Sequence, residues 1–422
     1  MLGAIAALLS WLDAGYSLRH VRALPDGREK SDAAPTPAPR CTVPRYACAV
    51  SFMLLAAATS VAQTSGTGKT RVYYIAADEV MWNYAPSGAD VISGKEFSGP
   101  QNVWTRRGPT TIGTTYKKAL FREYTDATFT TLKPRPVAWE HLGLLGPVIR
   151  AEVGDSIRVV FRNNATRPFS VHPHGVIYNK DSEGAPYTDG TSGRDKADDG
   201  VAPGATYTYR WFANERSGPT PGEGSSALWM YHSHVHEGAD VNAGLIGALI
   251  VTARGRAKPD GSPNDVDREI VIAFAEMDEN VSHYLEDNIT QFALEPDKVE
   301  RWRGGPTFTN PSFMPNLKFT MNGFLYGNGS APRLTVGERV RWYLMGTTNF
   351  EVHAPHWHGN VVTAQHMRTD VLNLVTMGMI VADMTPDNPG TWLFHCHVDV
   401  HQTGGMSALF VVEPAGTKTV SR

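Results

Sequence analysis

Cysteine is almost missing from this chain: three in 422 residues, two of which, Cys41 and Cys48, fall in an N-terminal stretch of distinct composition. A mature domain left with Cys396 alone cannot cross-link itself, so its stability must come from apolar cores. A charge excess is also lacking. The formal net charge of −3 leaves no basic footprint, and that excludes nucleic acid as a partner. Helical periodicity is scarce, and no apolar run is long enough to remain as a membrane-spanning helix. What the chain does have is size: 41% hydrophobic residues over this length can build two or three cores.

The N-terminal stretch reads as targeting. Arg40 and Arg45 precede an apolar run from Ala47 to Ala57, and Ser60-Val61-Ala62 is a small-x-small cleavage pattern ahead of Gln63. The expectation is a signal peptide and an exported product, secreted or periplasmic. Residues 1–39 precede the place where such a signal should begin, and the Pro/Ala-rich segment Asp32 to Pro39 resembles linker, so translation is expected to start near residue 40.

Beyond residue 66 the chain repeats itself. Arg150-Ala-Glu-Val-Gly-Asp-Ser-Ile-Arg-Val-Val-Phe-Arg leads to His172-Pro-His174-Gly; Arg333-Leu-Thr-Val-Gly-Glu-Arg-Val-Arg-Trp-Tyr-Leu-Met leads to His356-Trp-His358-Gly. Each copy continues to a second pair, His232-Ser-His234 or His395-Cys-His397, and closes on an apolar strand. Alternating apolar positions such as Ile157, Val159 and Phe161, punctuated by Gly, Pro, Asn and Asp, give strands. The fold class expected is all-β, two cupredoxin-like Greek-key sandwiches with antiparallel sheets, covering residues 67–256 and 257–422 after an N-terminal segment 1–66. The first copy carries an Asp/Gly-rich insertion of about twenty residues near Tyr178 to Val201.

The dense stretch is Phe394-His395-Cys396-His397-Val398-Asp399-Val400-His401, followed by Met406. Two imidazoles, a thiolate and a weak thioether make a type 1 copper site, and Cys396, His401 and Met406 supply three of those four. On a strand His395 and His397 point away from Cys396, toward a second metal site reached through the cysteine backbone. Eleven of the fifteen histidines fall in four groups, at 172/174, 232/234/236, 353/356/358 and 395/397/401. One His-x-His is weak, but four in register are not chance. Reducing dioxygen to water takes four electrons and several metals held by neutral nitrogen. Eight imidazoles suit a three-copper cluster fed by the type 1 copper. Ser233 replaces the cysteine in the first copy, so that domain has no blue copper, and His236 reads as a surface histidine.

These residues, with Tyr116-Lys-Lys-Ala-Leu, Leu144-Leu-Gly-Pro-Val-Ile, Glu183-Gly-Ala-Pro-Tyr and Asp198-Asp199, resemble the multicopper oxidases, and among them the ceruloplasmin/hephaestin-like branch, over residues 70–413. The resemblance implies copper as cofactor, four per catalytic unit. His353, Cys396, His401 and Met406 would hold type 1; His172 and His356 type 2; His174, His232, His234, His358, His395 and His397 the type 3 pair. It implies a homotrimer whose three-copper clusters form between subunits. Calcium is a further expectation, at Lys180 through its carbonyl, Asp195, Asp198 and Asp199. Glu183 and Asp399 match acids that assist proton delivery to oxygen.

The partners expected are dioxygen and a small reducing donor. Aligned with ceruloplasmin-type ferroxidases, the three iron-binding positions fall on Met314, Phe319 and Val400, none of which can ligate ferrous ion. Laccase-like oxidation of phenols is therefore expected. Oxidation of cuprous, ferrous or manganous ion is the alternative, with Met367, Met377, Met379 and Met384 as soft groups or core filler. A non-catalytic cupredoxin would have no use for eight further imidazoles. A copper nitrite reductase would keep its blue copper in the first domain, where Ser233 stands.

Overall fold

The computed structural model describes residues 68–347 and 352–416. The chain separates into units Met1–Ala62 and Gln63–Arg422, and all described residues belong to the second. The signal segment, Cys41 and Cys48 lie outside the described residues. Among those described, no helix is long and apolar enough to cross a membrane.

Four sheets form two sandwiches. The first pairs a five-stranded sheet, in the order Thr115–Tyr124, Thr70–Asn83, Ser156–Asn163, Thr206–Phe212, Ile177–Tyr178, with a four-stranded one, Ile149–Glu152, Ile246–Thr252, Ser226–His232, His172–Pro173. The second pairs six strands, Leu317–Met321, Arg268–Asp278, Val340–Gly346, Met379–Met384, Val362–Ala364, Met367–Thr369, with four, Arg333–Thr335, Ser407–Glu413, Gly390–Cys396, Pro355–Trp357. The sheets are mixed and not antiparallel throughout. Thr70–Asn83 runs parallel to Ser156–Asn163, and Arg268–Asp278 parallel to Val340–Gly346. Each pair is separated by long stretches of chain, which leaves room for the crossover that parallel pairing needs. The same parallel contact recurs between Ile149–Glu152 and Ile246–Thr252 and between Arg333–Thr335 and Ser407–Glu413, so the sequence repeat is also a topological one.

Alternation along the strands explains how the sandwiches join. In Arg268–Asp278, Ile270, Ile272 and Phe274 enter the second sandwich's core, while Val271, Ala273, Ala275 and Met277 face a separate core. That separate core also takes Leu228, Met230, Ile246, Ala248 and Ile250 from the first sandwich, whose alternate residues Leu249 and Val251 face inward. Strands buried on both faces read as unbroken apolar runs, as Ile270 to Ala275 does.

A charged pair sits in this junction. Lys118 and Glu279 are both fully buried, with Nζ 2.5 Å from Oε1. Lys118 also donates to Tyr84 Oη (2.8 Å) and Asn242 O (2.5 Å), and the Tyr84 hydroxyl donates to Glu279. Burial pushes the Tyr84 phenol well above its usual range, with the Glu279 charge adding to it.

Candidate metal centre

Three groups of metal-ligand side chains converge. His353, Cys396 and His401 place their ligand atoms within 4.8 Å of one another, as do His172, His174 and His232, and His356, His358 and His395.

The first group lies at one end of the second sandwich. Cys396 ends the strand Gly390–Cys396, and His401 lies on the short helix Asp399–Thr403 that follows. The thiol sulfur is 3.4 Å from His401 Nδ1 and 4.0 Å from His353 Nδ1, and it accepts the Ala354 N–H at 3.3 Å. Met406 is wholly buried, and its backbone ties the loop shut: Cys396 N–H donates to Met406 O (3.1 Å) and Met406 N–H to His401 O (2.9 Å). Behind the site Trp357 stacks on Phe394 at 4.8 Å and Trp342 meets Trp357 at 5.7 Å. This wall keeps water from the sulfur.

The other two groups extend to quartets. His234 lies 5.1 Å from His172 between ring centroids, and His397 lies 5.1 Å from His356. In each, one pair comes from a short strand and the other from its antiparallel neighbour: His172 is opposite His232, and His356 opposite His395. The glycine of each His-x-His-Gly motif has a steric reason. Gly175 and Gly359 have left-handed φ of +74° and +65°, and a Cβ there would fall 2.0 Å from Trp229 and 2.6 Å from Trp392. Those tryptophans lie three residues before His232 and His395, so the ring that bars a side chain belongs to the strand bearing the other pair.

The ring nitrogens are set for metal. His232 Nδ1 is hydrogen-bonded to Ser233 O (3.0 Å), His395 Nδ1 to Cys396 O (2.9 Å) and His172 Nδ1 to Glu183 O (2.6 Å), which leaves Nε2 of each to face the cluster. Burial keeps these imidazoles neutral, as ligands must be. It pushes His353 and His232 down to about 3, and His174, His395 and His401 down to about 4. One soft sulfur with borderline nitrogens, and two sets of converging imidazoles, fit copper.

Among the described residues no ring contact or hydrogen bond joins the two quartets to each other, and His397 is exposed.

Matches to known proteins agree with this donor set. Two family models, both described as multicopper oxidase, match residues 123–256 and 301–416. The chain belongs to the multicopper oxidases. Within that family it is ceruloplasmin/hephaestin-like: it is 44% identical over 349 residues to ferroxidase HEPHL1 of Homo sapiens, and 40% identical over 365 residues to ceruloplasmin of Rattus norvegicus. Those alignments cover 82% and 86% of this chain but 29% and 33% of the relatives, so this multicopper oxidase spans about a third of their length. Among solved structures, multicopper oxidase mgLAC aligns with a TM-score of 0.51 at 19% identity, covering 83% of this chain and 88% of that one, a likeness of fold. Copper is the cofactor of the family, and the residues here fit it.

Other expected site residues are placed differently. The Glu183 carboxylate is engaged by Lys180 Nζ and by the Tyr187 hydroxyl (2.9 Å). Burial alone would raise its pKa, but these partners outweigh it and hold the group below its ordinary value. What touches the quartet is the Glu183 backbone carbonyl. Asp399 is exposed on the first turn of its helix, near the exposed His397.

In the inserted loop, Lys180 pairs with Asp189 (2.7 Å), and Lys196 pairs with Asp189 (3.1 Å) and Asp199 (3.2 Å). Asp195 is exposed, and among the described residues Asp195, Asp198 and Asp199 do not bring ligand oxygens within 4.8 Å of one another as the three groups above do. Asp198 is wholly buried; its Oδ2 accepts the Gly184 N–H (2.7 Å), while its Oδ1 has no hydrogen-bond partner among the described residues. Burial pushes this carboxyl up to about 6.

Two residues of the first sandwich escaped sequence reasoning. Glu237 brings its carboxylate within 3.5 Å of His234 Nε2. Asp240 is buried behind the His232–His234 turn. Neither belongs to a spaced ligand motif.

Proposed function

We propose that this chain is an exported multicopper oxidase that takes single electrons from phenolic or similar small donors and passes them to dioxygen, which is reduced to water. Bound copper would supply the reversible one-electron chemistry; the protein positions it, excludes water and admits the donor.

The observation that carries the donor assignment is the apolar packing beside His401. Phe319 stacks on its imidazole, with centroids 5.2 Å apart and planes inclined by 25°. Met314 packs against the same core, and Val400 is 41% exposed. These are the three positions at which the resemblance would put iron ligands, and none offers oxygen or nitrogen. Phe319 is buried, so the apolar surface left to a donor is the exposed Val400 with half-buried Met314, which suits an aromatic donor that gives up its electron by contact. Metal-ion oxidation is a second reading, favoured by likeness to a relative whose name is ferroxidase. Oxygen uptake with a panel of phenols and cuprous, ferrous and manganous ions separates the two. Phenol turnover above all three ions is expected, and a ferrous preference would overturn the reading of Met314, Phe319 and Val400.

The oxygen site is read as shared between copies. Each sandwich presents an open quartet, and the quartet of one copy would meet the complementary quartet of the next. Such a head-to-tail contact closes into a ring, here a homotrimer. Sedimentation of copper-loaded protein is expected to give the trimer; a fully active monomer would refute it. Glu183 and Asp399 remain proposed aids to proton delivery. Asp399→Asn and Glu183→Gln should slow reoxidation of the cluster while the blue colour stays, and unchanged turnover in both would remove the role.

A further inference from the structure

The first sandwich retains the backbone of a type 1 copper site without its ligands. Corresponding hydrogen bonds identify the equivalent positions. Ser233 N–H donates to Leu245 O (3.1 Å) as Cys396 N–H does to Met406 O, and Leu245 N–H donates to Asp240 O (3.1 Å) as Met406 N–H does to His401 O. The Ser170 N–H reaches Ser233 Oγ (3.1 Å) as the Ala354 N–H reaches Cys396 Sγ (3.3 Å). Phe169 precedes His172 by three residues, as His353 precedes His356. The ligand set Cys396, His353, His401, Met406 thus corresponds to Ser233, Phe169, Asp240, Leu245.

Where copper would join these positions, the first sandwich has a hydrogen-bonded carboxylate. Asp240 Oδ2 accepts the Ser233 hydroxyl (2.6 Å) and the His236 N–H (3.0 Å), and its Oδ1 is bonded to His283 Nε2 (2.7 Å). His283 follows the strand Arg268–Asp278 of the second sandwich, so the junction between sandwiches braces the carboxylate. Ser170 closes the circuit: its hydroxyl donates to Gly184 O (2.6 Å) and accepts the His234 N–H (3.0 Å). The backbone on both sides of Ser233 is pinned, and with it the imidazoles of His232 and His234.

We infer that Asp240 is a positioning residue for the first histidine quartet, doing with hydrogen bonds what type 1 copper does in the second sandwich. The first quartet is therefore preorganised before any metal arrives. The inference rests on reading the first quartet as half of the oxygen-reducing cluster.

The test uses the full chain loaded with cupric ion. Asp240→Leu keeps most of the volume but offers no acceptor to the Ser233 hydroxyl or the His236 N–H and no polar partner to His283 Nε2. Blue absorbance per chain is expected to stay at the wild-type level. The type 2 resonance signal and type 3 near-ultraviolet band should be lost at chelator concentrations about 10- to 100-fold below those that strip the wild type. Retention of both copper classes at wild-type chelator concentrations would overturn the inference; a wild-type protein that never takes up type 2 or type 3 copper would overturn the reading beneath it as well. If the variant does not fold, amide exchange of the wild type decides. Residues 232–245 should be equally protected with and without copper. Copper-dependent protection of 232–245 would refute the assignment.

Discussion

Replacing Lys118 by Met tests what holds the two sandwiches together. The substitution keeps the apolar stem and removes one ammonium, leaving Glu279 wholly buried with its 2.5 Å partner gone and the Asn242 carbonyl without its donor. Breaking a buried pair from one side costs about 3–5 kcal/mol, because the remaining carboxylate is out of water and has lost its hydrogen-bonded counter-ion, although the buried Lys318 nearby offsets part of this. Removing both charges is different. In Lys118→Met/Glu279→Leu both charges of this pair are gone, and the residual cost, about 1–3 kcal/mol, comes from the unpaired Asn242 carbonyl and Tyr84 hydroxyl and from the buried Lys318, which loses the Glu279 charge that supports its ammonium. Glu279→Leu alone strands the ammonium and should resemble the first single variant. Urea unfolding followed by tryptophan fluorescence, at constant copper loading, yields the double-mutant cycle. The double variant should recover at least half of the loss. If it is as unstable as Lys118→Met, or if Lys118→Met lies within about 1 kcal/mol of the wild type, the junction does not depend on this pair as argued.

Other outcomes follow from the same geometry. Asp198→Asn should stabilise the metal-free protein at neutral pH, since a carboxyl held near 6 against an ordinary 3.8 favours folding only below about 3.8 and loses that contribution as pH rises through about 6. A variant that melts at or below the wild-type temperature at pH 7 would refute this. Gly359→Ala must displace Trp392 and accept a left-handed backbone; loss of type 3 absorption with the blue colour intact is expected, and normal occupancy would contradict the steric account. Acid titration of copper-free protein should show stability falling from about pH 6.5 toward pH 4. Unfolded histidines take up protons in that window, while His353, His232, His174, His395 and His401 stay neutral in the fold. Flat stability there would mean that burial does not hold these rings neutral.

Ligand chemistry was legible because it restricts residue types. Copper accepts few substitutes for His and Cys, so the four pairs, Cys396 and Met406 stand out in a bare sequence. The all-β repeat was legible through two-residue alternation, although parallel pairing was not, since nothing in a strand's pattern names its neighbour. Positioning residues left no such mark. Asp240 is one of two acids in a seven-residue helix, and the loop before it differs in length from the one before His401, which hides their equivalence until backbone hydrogen bonds are compared. Lys180 and Lys196 turned an apparent carboxylate cage into a set of ion pairs, an outcome set by side-chain reach and not by composition.

The contrast between Cys396 and Ser233 gives the proposed cluster a direction. One wall, His395 and His397, is joined through a single thiol-bearing residue to a redox centre. The other, His232 and His234, backs onto a hydroxyl and a carboxylate that conduct nothing. In a closed ring every oxygen site would then have a conducting wall and an insulating one, and would be charged by one neighbour alone. Silencing one blue centre would darken one site and leave the remaining circuit running.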